Sequence, residues 1–428
     1  MHSILALGAA ALSRVNEFPQ EHAAVCAFAP GPSLITTSFY PAGADAITYV
    51  ADARAAFVLN HTKPGAINAS ILDAAAVWPN QANPVPAGAV GGNGAGDLVL
   101  TAGGFFVSPG KSTGAVSLLN VSAFRATGVA TKRQLSTDKK GNFYHQAEWY
   151  DVNGDGRLDV VAARAYKSMF NPFAKAEGAL VWLEQPAEPR DEGVERQLTG
   201  LNGPGVAFAL IDLDGDGKDE IVAAQYFVAK QLSIWQCEHD LWSQCVNGSG
   251  VTSAVVNGAE SDGAPFFAVE WADLNGDGKK RELLATTNTA NGKGAVFVYE
   301  SSSSSSSSSS WTAHKIADGY KPKKAFLPGR GSPGRATSFM IHKDDKYASI
   351  LVSADDGGWV DLLTPDLEAW DATPYTYTKT RVLNSTDTVG TPAIMDVNGD
   401  GWADFAVPLF AENKVALYSF HANDALKV

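Results

Sequence analysis

One acidic segment constrains this chain more than any other stretch, because it recurs at a fixed period. DVNGDGRLDVVAARA begins at Asp151, DLDGDGKDEIVAAQY at Asp212, DLNGDGKKRELLATT at Asp273 and DVNGDGWADFAVPLF at Asp396, so the starts are 61, 61 and 123 residues apart. The last interval is two periods plus one residue, which places a worn copy near residue 335. MIHKDDKYASILVSADDGG occupies that zone, with Ile350, Leu351 and Val352 as its apolar run. One period before Asp151, GGNGAGDLVLTAGG keeps only Asp97 of the acids, and one further back GPSLITTSFYP keeps none. Seven units of 61 account for 427 of the 428 residues, and a period in this range marks a repeat architecture.

Each unit reads as four strands. A lead-in strand (FYHQAEWY before Asp151, PFFAVEWA before Asp273) runs into the acidic loop, and a β-rich run such as LDVVAARA or DEIVAAQY follows. A third strand comes after a turn (GALVWLEQ at Gly178, GAVFVYES at Gly294) and a fourth after a variable loop (VERQL at Val194, WTAHKI at Trp311). No stripe of 3.6-residue period competes with this pattern. The expected fold is therefore all-β, a seven-bladed β-propeller of four-stranded blades forming one domain over residues 1–428. Length alone predicts two or three domains of about 150 residues. The seventh unit has only residues 396–428 after its start, so residues 1 to about 20 are predicted to complete blade 7 and close the ring, which removes an open sheet edge. Trp149, Trp182, Trp235 and Trp271 recur at strand positions and are expected between blades, and the serines at 301–310 form a surface loop.

Composition excludes several classes. With 45% apolar and 18% charged residues the chain is neither disordered nor solvating. A net charge of −13 argues against nucleic acid as partner. No apolar run reaches the ~18–20 residues of a membrane span, and the propeller is expected to be a monomer.

The loop pattern D-x-[DN]-x-D-G-x-x-[DE] sets side-chain oxygens at alternate positions of a tight turn, adds a backbone carbonyl at position seven and a carboxylate at nine. Hard oxygen donors at that density suit Ca²⁺. Up to four structural sites are expected: Asp151, Asn153, Asp155 and Asp159; Asp212, Asp214, Asp216 and Glu220; Asp273, Asn275, Asp277 and Glu282; and Asp396, Asn398, Asp400 and Asp404. Position nine of the third loop is Arg281, so Glu282 is expected to take its place through a one-residue bulge. The loops are not EF-hands, because position twelve is Ala162, Ala223, Leu284 or Val407 rather than Glu.

These loops and the strands that follow them resemble the FG-GAP/VCBS repeat family, known best from integrin α-chain propellers, over essentially the whole chain. The family also includes fungal propeller lectins and sugar-acting lyases. The LVWLEQP third strand and the EWYDVNGDG lead-in are similar to the propeller part of aldos-2-ulose dehydratases, whose further C-terminal module has no counterpart here. The resemblance implies that the strand before each acidic loop is innermost and that these loops share one face. It places Tyr144, His145, Arg164, Tyr166, Lys167, Gln225, Tyr226, Phe266, Phe267, Asn288, Glu412 and Asn413 around the channel mouth on the other face. Aromatic faces with amides and a few charges are what sugar recognition requires. The expected function is thus a secreted, calcium-stabilised propeller that binds carbohydrate or glycoprotein. The alternative is a sugar- or polysaccharide-directed lyase or dehydratase at that mouth, with His145 as base, Tyr144 as acid and Lys167 as charge stabiliser. His22 falls at the place in unit one that matches His145, which points to a structural histidine.

Cys237 and Cys245 flank EHDLWSQ and could bridge it, and Cys26 lies on an expected inner strand as a buried thiol. Acceptor sequons stand at Asn60, Asn68, Asn120, Asn247 and Asn384, those at Asn60 and Asn120 at equivalent third-strand ends expected to face solvent. ILALGAAAL near the start reads either as a signal-peptide core without a preceding Lys or Arg, or as the closing strand of blade 7; the period favours the strand.

Overall fold

A computed structural model gives the architecture. It describes every residue except 1–3, 8–9, 58–66, 106–110, 112, 138–140, 167–175, 186–192, 200–201, 280, 302–310, 328 and 423–428, and the side chains of 4–7, 10–11 and 422. Lys167, Asn60 and most of the serine run fall outside it. Seven antiparallel sheets follow one another around a ring. Blade 1 is built from Ala23–Ala29, Ser33–Ser38, Ala46–Val50 and Ala69–Asp73, and blade 2 from Pro79–Pro84, Leu98–Gly103, Val116–Asn120 and Thr131–Gln134. Blade 3 takes Phe143–Tyr150, Asp159–Tyr166, Glu177–Glu184 and Val194–Gln197, and blade 4 takes Gly205–Ile211, Glu220–Gln225, Gln231–Cys237 and Val251–Val255. Phe266–Ala272, Glu282–Thr287, Gly294–Ser301 and Trp311–Tyr320 make blade 5. Ala336–Phe339, Ser349–Ser353, Trp359–Pro365 and Tyr377–Asn384 make blade 6.

Blade 7 closes the ring with strands from both ends of the sequence. Ala393–Met395, Asp404–Leu409 and Lys414–Ala422 pair outward in that order, and Ala10–Pro19 then pairs with Lys414–Ala422 from Ala10↔Ala422 to Pro19↔Lys414. Ile4–Leu7 adds a fifth strand outside it, so the described residues of ILALGAAAL, 4–7 and 10–12, belong to the last blade.

The second strands are sandwiched by neighbours on both edges and packed on both faces. Glu220–Gln225, Glu282–Thr287 and Asp404–Leu409 are accordingly buried at every position, and each carries an apolar run after its acidic first residue, with Gln225, Thr286 and Thr287 as buried polar ends. Outer strands such as Val194–Gln197 alternate instead with solvent. Seven apolar clusters result, one between each adjacent pair of blades, including one that joins Phe18 and Val415 of blade 7 to Leu34 and Val50 of blade 1. Trp182 and Trp235 lie in the cluster between blades 3 and 4, while Trp149 and Trp271 pack against those between blades 2 and 3 and blades 4 and 5. The buried Cys26 thiol belongs to the closure cluster, and Cys237 and Cys245 form a disulfide with Cα atoms 5.9 Å apart. Asn68, Asn247 and Asn384 are exposed. Asn120 is not fully solvent-facing as expected: it is half-buried, and its side-chain oxygen caps the helix Val121–Thr127 through the Ala123 N–H at 2.8 Å. Among the described residues no helix is long and apolar enough to cross a membrane.

Candidate functional site

The four acidic loops join first to second strands of blades 3, 4, 5 and 7 and therefore lie at one end of the ring. They share one internal scheme. The first Asp accepts the N–H groups of positions four and six: Asp212 takes Gly215 at 2.7 Å and Gly217 at 3.0 Å, and Asp396 takes Gly399 at 2.8 Å and Gly401 at 2.9 Å. Gly215 and Gly217 turn the chain at φ +78° and +87°, a region that glycine enters at little steric cost. The position-nine carboxylate opens the second strand and reaches back to the N–H of position two: Asp159 to Val152 at 3.2 Å, Glu220 to Leu213 at 2.9 Å and Asp404 to Val397 at 3.0 Å. Glu282 makes the same bond to Leu274 at 3.2 Å, so it, and not Arg281, holds this place in the third loop. There Asn275 and Tyr375 also donate to Glu282, at 2.8 and 3.1 Å.

These position-nine groups are buried beside other carboxylates. Burial first, and the neighbouring acids after it, push Asp159 up to about 6 and Glu220 and Asp404 up to about 7, and raise Glu282. Side-chain oxygens of Asp212, Asp214 and Asp216 lie within 4.8 Å of one another. An all-oxygen, anionic donor set converging at this spacing fits a hard divalent cation.

The opposite end carries an aromatic belt. Phe39, Phe105, Phe227 and Phe410 each follow a second strand, and their rings connect through residues at the starts of inner strands. Phe410 lies 6.0 Å from Phe39, which stacks on Trp78 at 4.4 Å; Trp78 stacks on Phe105 at 5.1 Å. Phe143 bridges Phe105 and Phe227 by edge contacts at 6.2 and 5.9 Å. Tyr226 touches Phe227 at 5.0 Å and Phe267 at 5.8 Å, and His145 meets Phe267 edge-on at 5.8 Å. His22 stacks on Tyr40 at 4.2 Å beside Phe410. Half-buried rings in a continuous path are platforms rather than core, although Phe143 and Trp78 themselves are buried. His22 and Trp78 hold positive φ at this end, as do Lys230, Asp262, Asp355 and Asn413.

Beside the belt, a cavity of about 400 Å³ opens between blades 4, 5 and 6, lined by Tyr226, Lys230, Asp262, Asn288, Lys293 and Arg330 among others. Tyr226 donates to Asn288 Oδ1 at 3.0 Å, and Asn288 Nδ2 donates to the Pro333 carbonyl at 2.8 Å, which fixes the amide. Gly331 passes so close that a Cβ there would sit 1.7 Å from Asn288 Oδ1. Arg330 is clamped by Asp356, by Asp387 at 3.1 Å and by Thr388, and Lys293 pairs with Asp262. Burial and the adjacent Asp356 charge raise Asp355, which faces Asn288, well above the usual carboxylate range.

Of the residues expected at this mouth, His145, Tyr226, Phe267 and Asn288 come together there. Others do not. Tyr144 is fully buried between blades 2 and 3, on the same side as Ala147 because of the bulge at His145, and its hydroxyl donates to Glu195 at 3.0 Å. Arg164 pairs with the same Glu195 and is likewise turned from the channel. Gln225 is buried against Ser233 at 2.9 Å, and Phe266 lies in the core of blades 4 and 5. Tyr166 stands half-buried at the rim against Gly141, Glu412 pairs with Lys414, and Asn413 accepts the His22 N–H at 3.0 Å. A base–acid–lysine set of His145, Tyr144 and Lys167 is therefore not assembled: the acid points into the core and Lys167 lies outside the described residues. Sequence reading missed Phe39, Trp78, Phe105, Phe227 and Phe410. Their signal was present, because Phe105, Phe227 and Phe410 are spaced by two and three whole periods.

Residues 151–223, which span the first two acidic loops, match the model of the FG-GAP-like repeat. No curated protein matches the chain in sequence. Among solved structures, the BP39L lectin from Burkholderia pseudomallei superposes with a TM-score of 0.50 at 11% identity, covering 92% of this chain and 97% of that one. At that identity the likeness speaks for the propeller fold alone.

Proposed function

We propose that this seven-bladed propeller binds carbohydrate, free or displayed on a glycoprotein, at the end opposite its acidic loops. The observation that carries the reading is the aromatic belt running into a polar cavity. Sugar rings present C–H faces that stack on aromatic rings and hydroxyls that need amides and carboxyls, and Phe227, Tyr226, Asn288 and Asp355 supply both in adjacent positions. The BP39L neighbour is a lectin by name, which agrees with this reading.

The acidic loops have a separate role in this proposal. Asp151, Asn153, Asp155 and Asp159, and their equivalents from Asp212, Asp273 and Asp396, would hold Ca²⁺, which offsets carboxylate repulsion at the blade corners. Such loops fill best outside the cell, and the Cys237–Cys245 disulfide suits the same oxidising setting, so we place the protein among secreted chains.

A glycan array probed with the full chain tests the reading. Binding to defined glycans is expected, with Phe227→Ala weakening it at least 10-fold while the melting temperature holds. An array without hits, or hits indifferent to Phe227→Ala and Trp78→Ala together, would overturn it. Ultraviolet absorbance of the same mixtures for unsaturated sugar products should stay flat. Calcium has its own measurement: at a free concentration 100 times Kd, each filled site adds about 2.7 kcal/mol. Chelation should therefore lower the melting temperature, and Asp212→Ala should shrink that drop. An unchanged melting curve would make the loops simple turns.

A further inference from the structure

We propose that the carbohydrate site selects sugars bearing a carboxylate, with the guanidinium of Arg335 receiving that group inside the channel mouth. The inference rests on the carbohydrate reading above and narrows it to a ligand class.

Register puts Arg335 at the channel. In blades 1 to 5 the inner strand begins with a bulge, and the skipped residues are Ala24, Asn80, His145, Val206 and Phe267. The first regular pair after each bulge is Val25↔Thr37, Gln81↔Ala102, Gln146↔Ala163, Ala207↔Ala224 and Ala268↔Thr286. In blade 6 the matching pair is Ala336↔Val352, which gives Arg335 the skipped position. Blades 3 and 6 stand three apart in a ring of seven, nearly opposite one another. From that position the charge of Arg335 faces blade 3, where, after burial, it lowers both the His145 imidazole and the Glu148 carboxyl.

The guanidinium has no committed anion. Among the described residues no carboxylate stands within ion-pair distance of it. Glu270, on the neighbouring inner strand, is taken by the N–H of Ser338 at 3.2 Å and by its hydroxyl. Glu148 accepts Gln146 Nε2 at 3.0 Å, and burial raises its carboxyl toward the neutral form. Arginine carries five N–H donors in a planar fork that matches a carboxylate, and one left without a partner in a half-buried channel is a poised anion receptor.

The surroundings agree. His145 joins the channel to Phe267 and Tyr226, so a sugar stacked on the belt presents its substituents toward Arg335. The connection 321–335, KPKKAFLPGRGSPGR, runs along this end with five basic residues and no acid, in a chain whose net charge is −13. Lys323, Lys324 and Arg330 are occupied by Ser385, Asp387 and Asp356; Lys321 and the cavity-lining Lys230 are exposed at the surface, which leaves Arg335 as the half-buried cation of this end. The acidic loops lie at the far end, where they repel an anionic sugar least.

Titration of the full chain with three probes decides the matter: D-glucuronate, its methyl ester and D-glucose. A charge-assisted hydrogen bond of ordinary strength predicts that glucuronate binds about 10–100-fold more tightly than the ester. Arg335→Gln should erase that difference at an unchanged melting temperature, and Arg335→Lys should keep part of it, because the charge remains while the fork is lost. An ester or glucose that binds as tightly as glucuronate overturns the inference and leaves the carbohydrate reading intact. So does discrimination that survives Arg335→Gln, or a sulfated sugar preferred over the carboxylated one. Failure of all three probes together with an empty glycan array overturns both.

Discussion

His145 sits where a proton is least welcome. Burial, and behind it the facing charge of Arg335, push its imidazole down to about 4. Above pH 6.5 the histidine is neutral in folded and unfolded chains alike and its ionisation costs nothing. Below that, the unfolded chain takes up a proton that the folded one refuses until about pH 4, so stability is lost as pH falls through this window, by about 3 kcal/mol. Carboxylates titrate over the same range. The contrast with His145→Gln isolates the effect: urea unfolding at pH 7 and pH 4.5 should show a smaller loss in the variant, and equal losses would place His145 in contact with bulk water. In Arg335→Gln the imidazole should titrate higher than in the parent yet still below 6.5, because burial is the larger cause. Sequence made His145 visible and misjudged its neighbour. Tyr144 precedes it and faces into the blades on the same side as Ala147 and Trp149, a side that simple alternation would not give it, because His145 is the extra residue of a bulge. Arg335 was not visible at all, because the worn sixth repeat has no acidic loop to set its phase and only the strand register identifies its position.

At the scale of strands, the problem each blade must solve is its inner edge. The inner strand has a partner on one side only, and its remaining N–H and C=O groups face the channel and the next blade. Side-chain amides supply part of the missing ladder. Gln81 of blade 2 donates to the Ala147 carbonyl at 3.0 Å and accepts the Ala147 N–H at 2.6 Å, clipping blade 3. Gln146 repeats the device from blade 3 to blade 4, donating to Phe208 O at 3.0 Å and accepting Phe208 N at 3.3 Å. Both glutamines follow a bulge residue, so the bulge is what aims them. Gln146→Leu keeps the volume and strands both Phe208 groups; a loss of about 1–3 kcal/mol in chemical denaturation is expected, against little change for an exposed outer-strand substitution such as Glu195's neighbour Val194→Thr. If Gln146→Leu is neutral, water replaces the clip and the amide adds no stability. Strand order and acidic loops were legible from spacing, since turn chemistry and apolar runs repeat together. The clips were not, because a glutamine between apolar residues carries no signal until two blades are set side by side. The first, second and sixth repeats look degenerate because their loops lack the full acidic pattern: blade 2 keeps Asp97 and blade 6 Asp344 and Asp345, while blade 1 turns tightly between Ala29 and Ser33, with Gly31 at φ +77°, and needs no carboxylate.

For the whole molecule, closure of the ring is the step on which the rest depends. Each interface between blades holds an apolar cluster of its own, and the cluster between blades 7 and 1 draws on Ala10–Pro19, the strand farthest in sequence from its partner Lys414–Ala422. Leu12, Val15 and Phe18 of that strand are 2%, 7% and 3% exposed. At about 1.5–3 kcal/mol for each buried side chain, their removal costs ~5–9 kcal/mol, comparable with the 5–15 kcal/mol that holds a typical domain together. It would also bare the edge of Lys414–Ala422, a template for pairing with other chains. Ile4–Leu7 differs in kind. It lies outside a blade that already has four strands, as the other six do, and no further blade packs beyond it. Two truncations therefore separate closure from ornament. A chain starting at residue 9 should fold as a monomer, melt cooperatively and lose only a few degrees, whereas one starting at residue 20 should aggregate or melt without cooperativity. Supplying residues 9–19 as a free peptide should restore the sharp melt of the shorter chain, since the open slot in blade 7 accepts one strand in one register. A chain starting at residue 20 that remains monomeric with an unchanged melting temperature would mean that six blades and a three-stranded seventh are sufficient, and that the ring is held by packing between blades rather than by its seam.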